Sequence, residues 1–222
     1  MKRTWIAVLA ILFTIPAFAQ KADKRLADST AVLKELISND QIPTRLLNRA
    51  RCVMVYPSVK KVAIGIGGTY GRGVLVCRTG TEMSGRWGAP VMYTLDTGSL
   101  GVQLGSTATD YVLLVLSKRG ADKVLSGKLK LGAGASAVAG PSAAQASGFN
   151  DTNIDIVTYA RTKGLFAGAS LGEASMSSDD SINKELYGKD ITPTEIMAPK
   201  TPVPPAAQPL VSELQRVSPK HV

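Results

Sequence analysis

The sequence predicts an α+β domain: strand-dominated, with a largely antiparallel sheet or barrel-like core and a few flanking helices. Three observations carry that class. Apolar residues recur at helical spacing from Lys21 to Ile37. From Cys52 onward the period changes to two, the spacing of strands. The run "YVLLVL", 111–116, is continuously apolar, as a strand buried on both faces is.

The elements follow in order. The chain opens Met1-Lys2-Arg3, runs apolar from Trp5 through Phe18 and closes with Ala17-Phe18-Ala19. A basic start, a short apolar run and an A-x-A site describe a secretory signal peptide over residues 1–19, cut after Ala19. The mature chain is then expected to be exported, periplasmic or secreted, and peripheral to a membrane. An amphipathic helix is expected over about 21–38, with Leu26, Thr30, Leu33 and Ile37 on one stripe. Lys21, Lys24, Arg25 and Lys34 lie around its polar side. Pro43 opens a second short helix through Leu46, Leu47 and Ala50. "CVMVYP" reads as a strand stopped by Pro57, and residues 62–70 and 73–78 as a strand pair around Gly71. Strands are expected at 90–95, 99–105, 111–116, 128–138, 153–160 and 164–171. Short helices fill 117–127, ending at Gly127, and 179–187. Residues 20–192 form the domain. Seven of the twelve prolines lie between Pro193 and Pro219, so residues 193–222 are expected to be an extended, disordered tail.

The formal charge of the 222-residue chain is +9, and +7 once Lys2 and Arg3 are removed (9 − 2 = 7). A basic exported protein meets anionic headgroups, wall polymers or acidic proteins. Few aromatics and no RNA-binding aromatic signature argue against nucleic acid. Cys52 and Cys77 are 25 residues apart. An oxidising compartment permits a disulfide, worth roughly 3 kcal/mol; two small buried side chains are the other reading.

The motifs that suggest chemistry fail on context. Gly65 and Gly67 supply G-x-G, but Tyr70 stands at the third glycine position and "GVLVCR" continues as a strand. A dinucleotide fingerprint needs a helix there to receive the pyrophosphate. "GASLG", 168–172, matches the nucleophile elbow around Ser170, yet the lone histidine, His221, lies in the proline-rich tail. The S-x-x-K pairs Ser58–Lys61 and Ser181–Lys184 lack their companion elements. "DTNID", 151–155, opens like a calcium loop but has Ile156 and Thr162 where glycine and glutamate belong. One histidine and two cysteines do not make a structural zinc site. No cofactor, metal or catalytic residue is expected, although Asp96, Asp110, Asp122, Asp151 and Asp155 leave carboxylate chemistry open.

The glycines fall on alternate positions. Gly65 and Gly67, then Gly132 and Gly134, then Gly164 and Gly168 each leave one strand face nearly free of side chains. Such a face admits another element or a ligand at close range.

Taken in order, several blocks resemble the SYLF family: "IPTRLLNRARCVMVYPSVKK", "IGGTYGRGVLVCR", "SLGVQLGSTATDYVLLVLS", "GKLKLGAGASAVAGP", "ARTKGLFAGASLGEA" and "INKELYG". Pro43 and Leu46-Leu47 match the family's Ile-Pro…Leu-Leu helix, and Val55-Tyr56-Pro57 its aromatic-proline strand end. Gly67, Gly68, Tyr70, Gly71, Arg72 and Gly73 match its glycine signature. Lys163 and Gly164 match its late strand. The chain departs from the pattern at Gly172-Glu173 and at Cys52 and Cys77. The resemblance implies a non-enzymatic, membrane-phospholipid-binding domain related to yeast actin-binding proteins, with anionic lipid the transferable ligand for an exported chain. Lys21, Lys24, Arg25, Lys34, Arg45, Arg49 and Arg51 are the candidate lipid contacts, since basic residues near an anionic surface contribute about 1 kcal/mol each. The alternative is an envelope scaffold whose proline-rich tail reaches a protein or wall polymer.

Overall fold

The computed structural model describes residues 19–64, 66–99, 107–127, 129–130, 137–139, 154–162, 165–168 and 174–221. Residues 1–18, over which a signal peptide is expected, lie outside these, as do Ser170, most of the 128–153 glycine-rich region, Lys163 and Gly164.

Two helices come first, α1 (Ala19–Ser38) and α2 (Thr44–Arg49). They lead into β1 (Cys52–Ile64), β2 (Ile66–Cys77), β3 (Val91–Ser99) and β4 (Thr107–Val115). Next come α3 (Lys118–Leu125), β5 (Leu129–Lys130), β6 (Ala137–Ala139), β7 (Ile156–Thr162), β8 (Leu165–Gly168) and β9 (Ala174–Ser178). The chain finishes with α4 (Asp180–Tyr187), α5 (Pro193–Ile196), a 3-10 turn (Pro205–Ala207) and α6 (Gln208–Val217). The strands form one sheet in the order β5-β9-β3-β2-β1-β4-β7-β6, with β8 on β7. Every pairing is antiparallel except β6 with β7. The α+β class with a sheet core is as the periodicity predicts.

Period-two alternation explains the two cores. Val53, Val55, Val74, Val76, Val112 and Leu114 face α1, α2 and α6. Their neighbours Met54, Tyr56, Leu75, Leu113 and Val115 face α3 and α5. The 111–116 run thus feeds both sides of the sheet. Cys52 and Cys77 are cross-strand partners on the second face and are disulfide-bonded. Of the two readings of these cysteines, the bridge is the one the fold adopts.

Three expectations change. Pro57 does not stop its strand. β1 continues through it, with register shifts against both neighbours and Ser58 at φ 49°. A bulge is where a strand tolerates proline, and Asp110 Oδ1 fixes it by accepting the Ser58 N–H at 2.7 Å. Gly71 likewise lies inside a continuous β2, and the strand pair is β1 with β2, running from Ile64↔Ile66 to Cys52↔Cys77 with the register shift at the bulge.

The third change is the tail, which is folded. Thr192 caps α5 in a reciprocal capping box with Glu195, with Pro193 in the first turn. Pro209 sits in the first turn of α6. Proline is at home there because those N–H groups have no intrahelical partner. Leu210, Val211 and Leu214 of α6 bury against Leu26, Leu33 and Leu36 of α1. Arg78, 1% exposed, anchors the last residues. It donates to Ala50 O (3.0 Å), Ser218 O (3.0 Å), Ser218 Oγ (2.6 Å) and Lys220 O (3.2 Å), and stacks 4.2 Å from the Trp87 ring.

Candidate functional site

Helix α1 spends its apolar stripe on the core: Ala22, Leu26, Val32, Leu33 and Leu36 are all buried. That apolar face is already covered by the protein and is not available for insertion into a bilayer. Its polar side remains. Lys21, Lys24 and Lys34 are exposed, and Lys24 pairs with Asp28 at 2.7 Å.

Arg25 is different. It is 7% exposed and reaches α4, where Nη2 bonds Asp179 Oδ2 at 2.8 Å. Asp179 stands at the N-cap position of α4 and also accepts the Ser181 hydroxyl at 3.0 Å. The second Arg25 nitrogen, Nη1, is buried without a hydrogen-bond partner among the described residues.

The glycine signature delivers its two large residues to the same place. Gly67 and Gly68 are paired strand positions, against Ser99 and Gly98 of β3. Gly71 and Gly73 are buried and face β1 side chains: a Cβ would meet Val59 Cγ2 at 2.8 Å and Tyr56 Cδ1 at 2.4 Å. At these two positions the side-chain-poor face is filled by the protein itself. Tyr70 and Arg72 alternate with them and point outward. Tyr70 is 44% exposed, the exposed large apolar residue among those described. Arg72 Nε donates to the Tyr70 hydroxyl at 2.8 Å, and its guanidinium lies 5.3 Å from the ring centroid. That hydrogen bond raises the Arg72 pKa further, so the charge is permanent.

Lys21, Arg25, Tyr70 and Arg72 meet Thr94 of β3 and Asp179, Ser181 and Glu185 of the α4 segment around a groove of about 490 Å³. A smaller hollow of about 210 Å³ adjoins it, adding Lys24 and Pro57. Two larger clefts, each above 600 Å³, lie by Trp87 and by Met83, away from this charge.

The other predicted basic residues are elsewhere. Arg45 lies near Tyr159. Arg49 and Arg51 neighbour His221 at the anchored C-terminus, and Arg51 Nη1 donates to Glu82 O. The seven candidates therefore do not form one patch: Lys21 and Arg25 line the groove and Lys24 the hollow beside it, whereas Lys34, Arg45, Arg49 and Arg51 line neither. Sequence reading missed Asp179 and Glu185. Asp179 was legible as a cap before the 179–187 helix, but nothing in the sequence ties Glu185 to the basic face.

Comparisons with known proteins agree with the fold's extent. Residues 96–217 match the family model described as "Ysc84: Las17-binding protein actin regulator". The match crosses position 192 and reaches the end of α6, so most of the C-terminal segment lies within the matched residues. An SH3 domain-containing protein of Schizosaccharomyces pombe is 30% identical over 86% of this chain and 45% of its own length. Protein YSC84 of Saccharomyces cerevisiae is 31% identical over 78% of this chain and 37% of its own. Human SH3 domain-containing YSC84-like protein 1 is 26% identical over 91% of this chain and 59% of its own. The chain thus spans about half the length of these relatives, two of which are named for SH3 domains. The chain belongs to the Ysc84 family, the SYLF family that its sequence blocks resemble.

Proposed function

We propose that this domain is a non-enzymatic module that binds phospholipid membranes reversibly through the groove between α1, β2 and α4. The observation that carries the reading is a convergence. The basic N-terminal helix and the glycine signature, far apart in sequence, place Lys21, Arg25 and Arg72 around one hollow with Tyr70 on its rim. A tyrosine beside cations is suited to the headgroup layer, where its apolar ring and polar tip are both satisfied. Cations there attract anionic lipid electrostatically. Contact is by the groove and the polar side of α1, not by burying the helix in lipid.

Export is part of the same proposal. The Cys52–Cys77 bridge is of a kind that persists in oxidising compartments, and the leader-like first nineteen residues supply a route. Co-sedimentation with phosphatidylglycerol-containing and pure phosphatidylcholine vesicles over a salt series tests the reading. Binding to the anionic vesicles should weaken steeply with salt, and Lys21→Glu with Arg72→Glu should weaken it at least about tenfold. Equal, negligible binding to both vesicles would sink it.

A second reading is a protein-binding scaffold, favoured by the family description, which names Las17 binding. Its proline-rich segment is packed against α1 and so is not an extended peptide for a partner; any partner would meet the folded surface. A pull-down retained by the Lys21→Glu, Arg72→Glu variant would favour this reading.

A further inference from the structure

The two ends of the sheet differ in charge. At one end β1 turns into β2 between Ile64 and Ile66, β3 stops at Ser99 and β4 starts at Thr107. The pairings Thr109↔Thr162, Thr162↔Leu165 and Thr97↔Ala174 bring the end of β7, the start of β8 and the start of β9 to the same end. Residues 62–71, 97–109 and 164–172, which include these strand ends or join them, contain no Asp, Glu, Lys or Arg. The opposite end carries charge in its connections: Arg51 before β1, Glu82 and Arg86 between β2 and β3, Lys118 and Asp122 after β4, Asp180 after β9. Charge is at home in water and costly in hydrocarbon, so an end without it suits contact with lipid.

The β1–β2 hairpin continues beyond the last rung that β1 shares with β4, Lys61↔Thr107, through Val62↔Gly68, Ala63↔Gly67 and Ile64↔Ile66. From Lys61 to Ile64 that is about 10 Å of strand. Such a length reaches the boundary of headgroups and acyl chains and falls far short of the ~30 Å hydrocarbon core. β2 keeps ladder partners on both sides as far as Gly67, which pairs with Ala63 and Ser99, and bonded backbone is the condition for entering lipid. The rung Lys60↔Tyr70↔Asp96 marks the base of this tip. Lys60 is exposed and so is Tyr70, residues suited to the membrane surface: the lysine stem reaches out to phosphate and the ring sits among headgroups. Asp96 shares the rung, where a carboxylate stays hydrated. Building on the membrane reading above, we infer that the β1–β2 tip, with Val62, Ile64 and Ile66, dips into the outer layer of the bilayer while Lys60 and Tyr70 stay at its surface. Tyr70 and Arg72 of the same strand line the groove, so groove and tip face one membrane together. The groove supplies attraction that salt screens, and the tip supplies apolar anchoring that salt does not. Two strand ends of a few residues fall short of the roughly 1,200 Å² that a stable protein interface buries, which favours lipid over a second copy as the occupant.

The test places a fluorophore at each end of the sheet in the mature chain, as Ile64→Trp and, for the charged end, Glu82→Trp. Each variant is mixed with phosphatidylcholine vesicles containing one-third phosphatidylglycerol, with and without bromine on the upper acyl carbons. Emission of Ile64→Trp should shift to the blue and be quenched by the brominated lipid, whereas Glu82→Trp should match the parent. Ile64→Asp with Ile66→Asp should weaken vesicle binding at least about tenfold, and the loss should persist in high salt, unlike that of Lys21→Glu with Arg72→Glu. Circular dichroism confirms that the variants remain folded. An Ile64→Trp signal that stays unquenched on bound vesicles, or unchanged binding by the double aspartate variant, would overturn the tip. If the Lys21→Glu, Arg72→Glu variant still loses binding in that case, the groove reading stands without it. If the aspartates abolish binding while the groove variant and pure phosphatidylcholine vesicles bind as well as the parent, the tip holds and the groove reading falls. A parent that binds no vesicle sinks both. Self-association of the parent that the aspartates abolish, with vesicle binding unchanged, would assign the tip to a second copy and overturn the lipid contact.

Discussion

A Cβ at Gly73 would stand 2.4 Å from Tyr56 Cδ1 and 2.4 Å from Val55 O. Backbone cannot retreat as a side-chain tip does, so Gly73→Ala should destabilise by about 1–3 kcal/mol, measured as a lower denaturant midpoint. Arg78 makes the opposite point, that a side chain is indispensable. Burial lowers its pKa to about 10, still far above neutrality, so a full charge is held by backbone carbonyls and a serine. Arg78→Met leaves Ala50 O and Lys220 O without this donor and Ser218 O with Trp87 Nε1 alone, and should cost about 3 kcal/mol, with residues near Ser218 becoming protease-sensitive first. His221 titrates beside this cluster. Burial, then Arg51 and Arg78, lower its pKa below the ordinary 6.5. The unfolded chain takes up a proton that the folded chain resists, so stability is full above 6.5 and falls as pH drops below it. Melting temperatures at pH 5 and pH 7.5 should differ less for His221→Gln than for the parent.

Among the elements, most strands and helices were legible, and the misses have physical causes. The 21–38 helix, the buried 111–116 strand and the helix before Gly188 follow from periodicity and capping. Pro57 was read as a strand stop because the bulge that admits it depends on Asp110, 52 residues beyond Ser58 along the chain, which local pattern does not reveal. The C-terminal segment was read as disordered on composition, although "TPTE" spells its own cap. Leu210, Val211 and Leu214 also repeat at helical spacing. The groove was half legible: its cations were named, but their sorting into two locations depends on tertiary placement. Two predictions belong to this scale. Leu214→Ala, in a helix that seals the α1 face, should cost about 2–5 kcal/mol in a denaturant titration. Replacing Cys52 and Cys77 together by alanine should cost roughly 3 kcal/mol, and with both sulfurs buried the native bridge should resist mild reductant until the protein unfolds.

At the scale of the whole molecule, the first and last described helices pack on each other over one face of the sheet, which makes the fold a closed circuit and not a domain with an appendage. Heat should therefore unfold it in one transition, and calorimetric and van't Hoff enthalpies should agree. Removing residues 193–222 should abolish that transition and leave an aggregating chain, where a disordered tail would have been dispensable. The same closure governs biogenesis. Until the residues around Leu214 have left the ribosome, Leu26, Leu33 and Leu36 lack the cover that α6 gives them, so this face stays open until α6 has been made. A polypeptide whose first helix waits for α6 stays open over that face until α6 is made, and a stop codon before Leu210 would yield a chain that quality-control proteases read as unfinished.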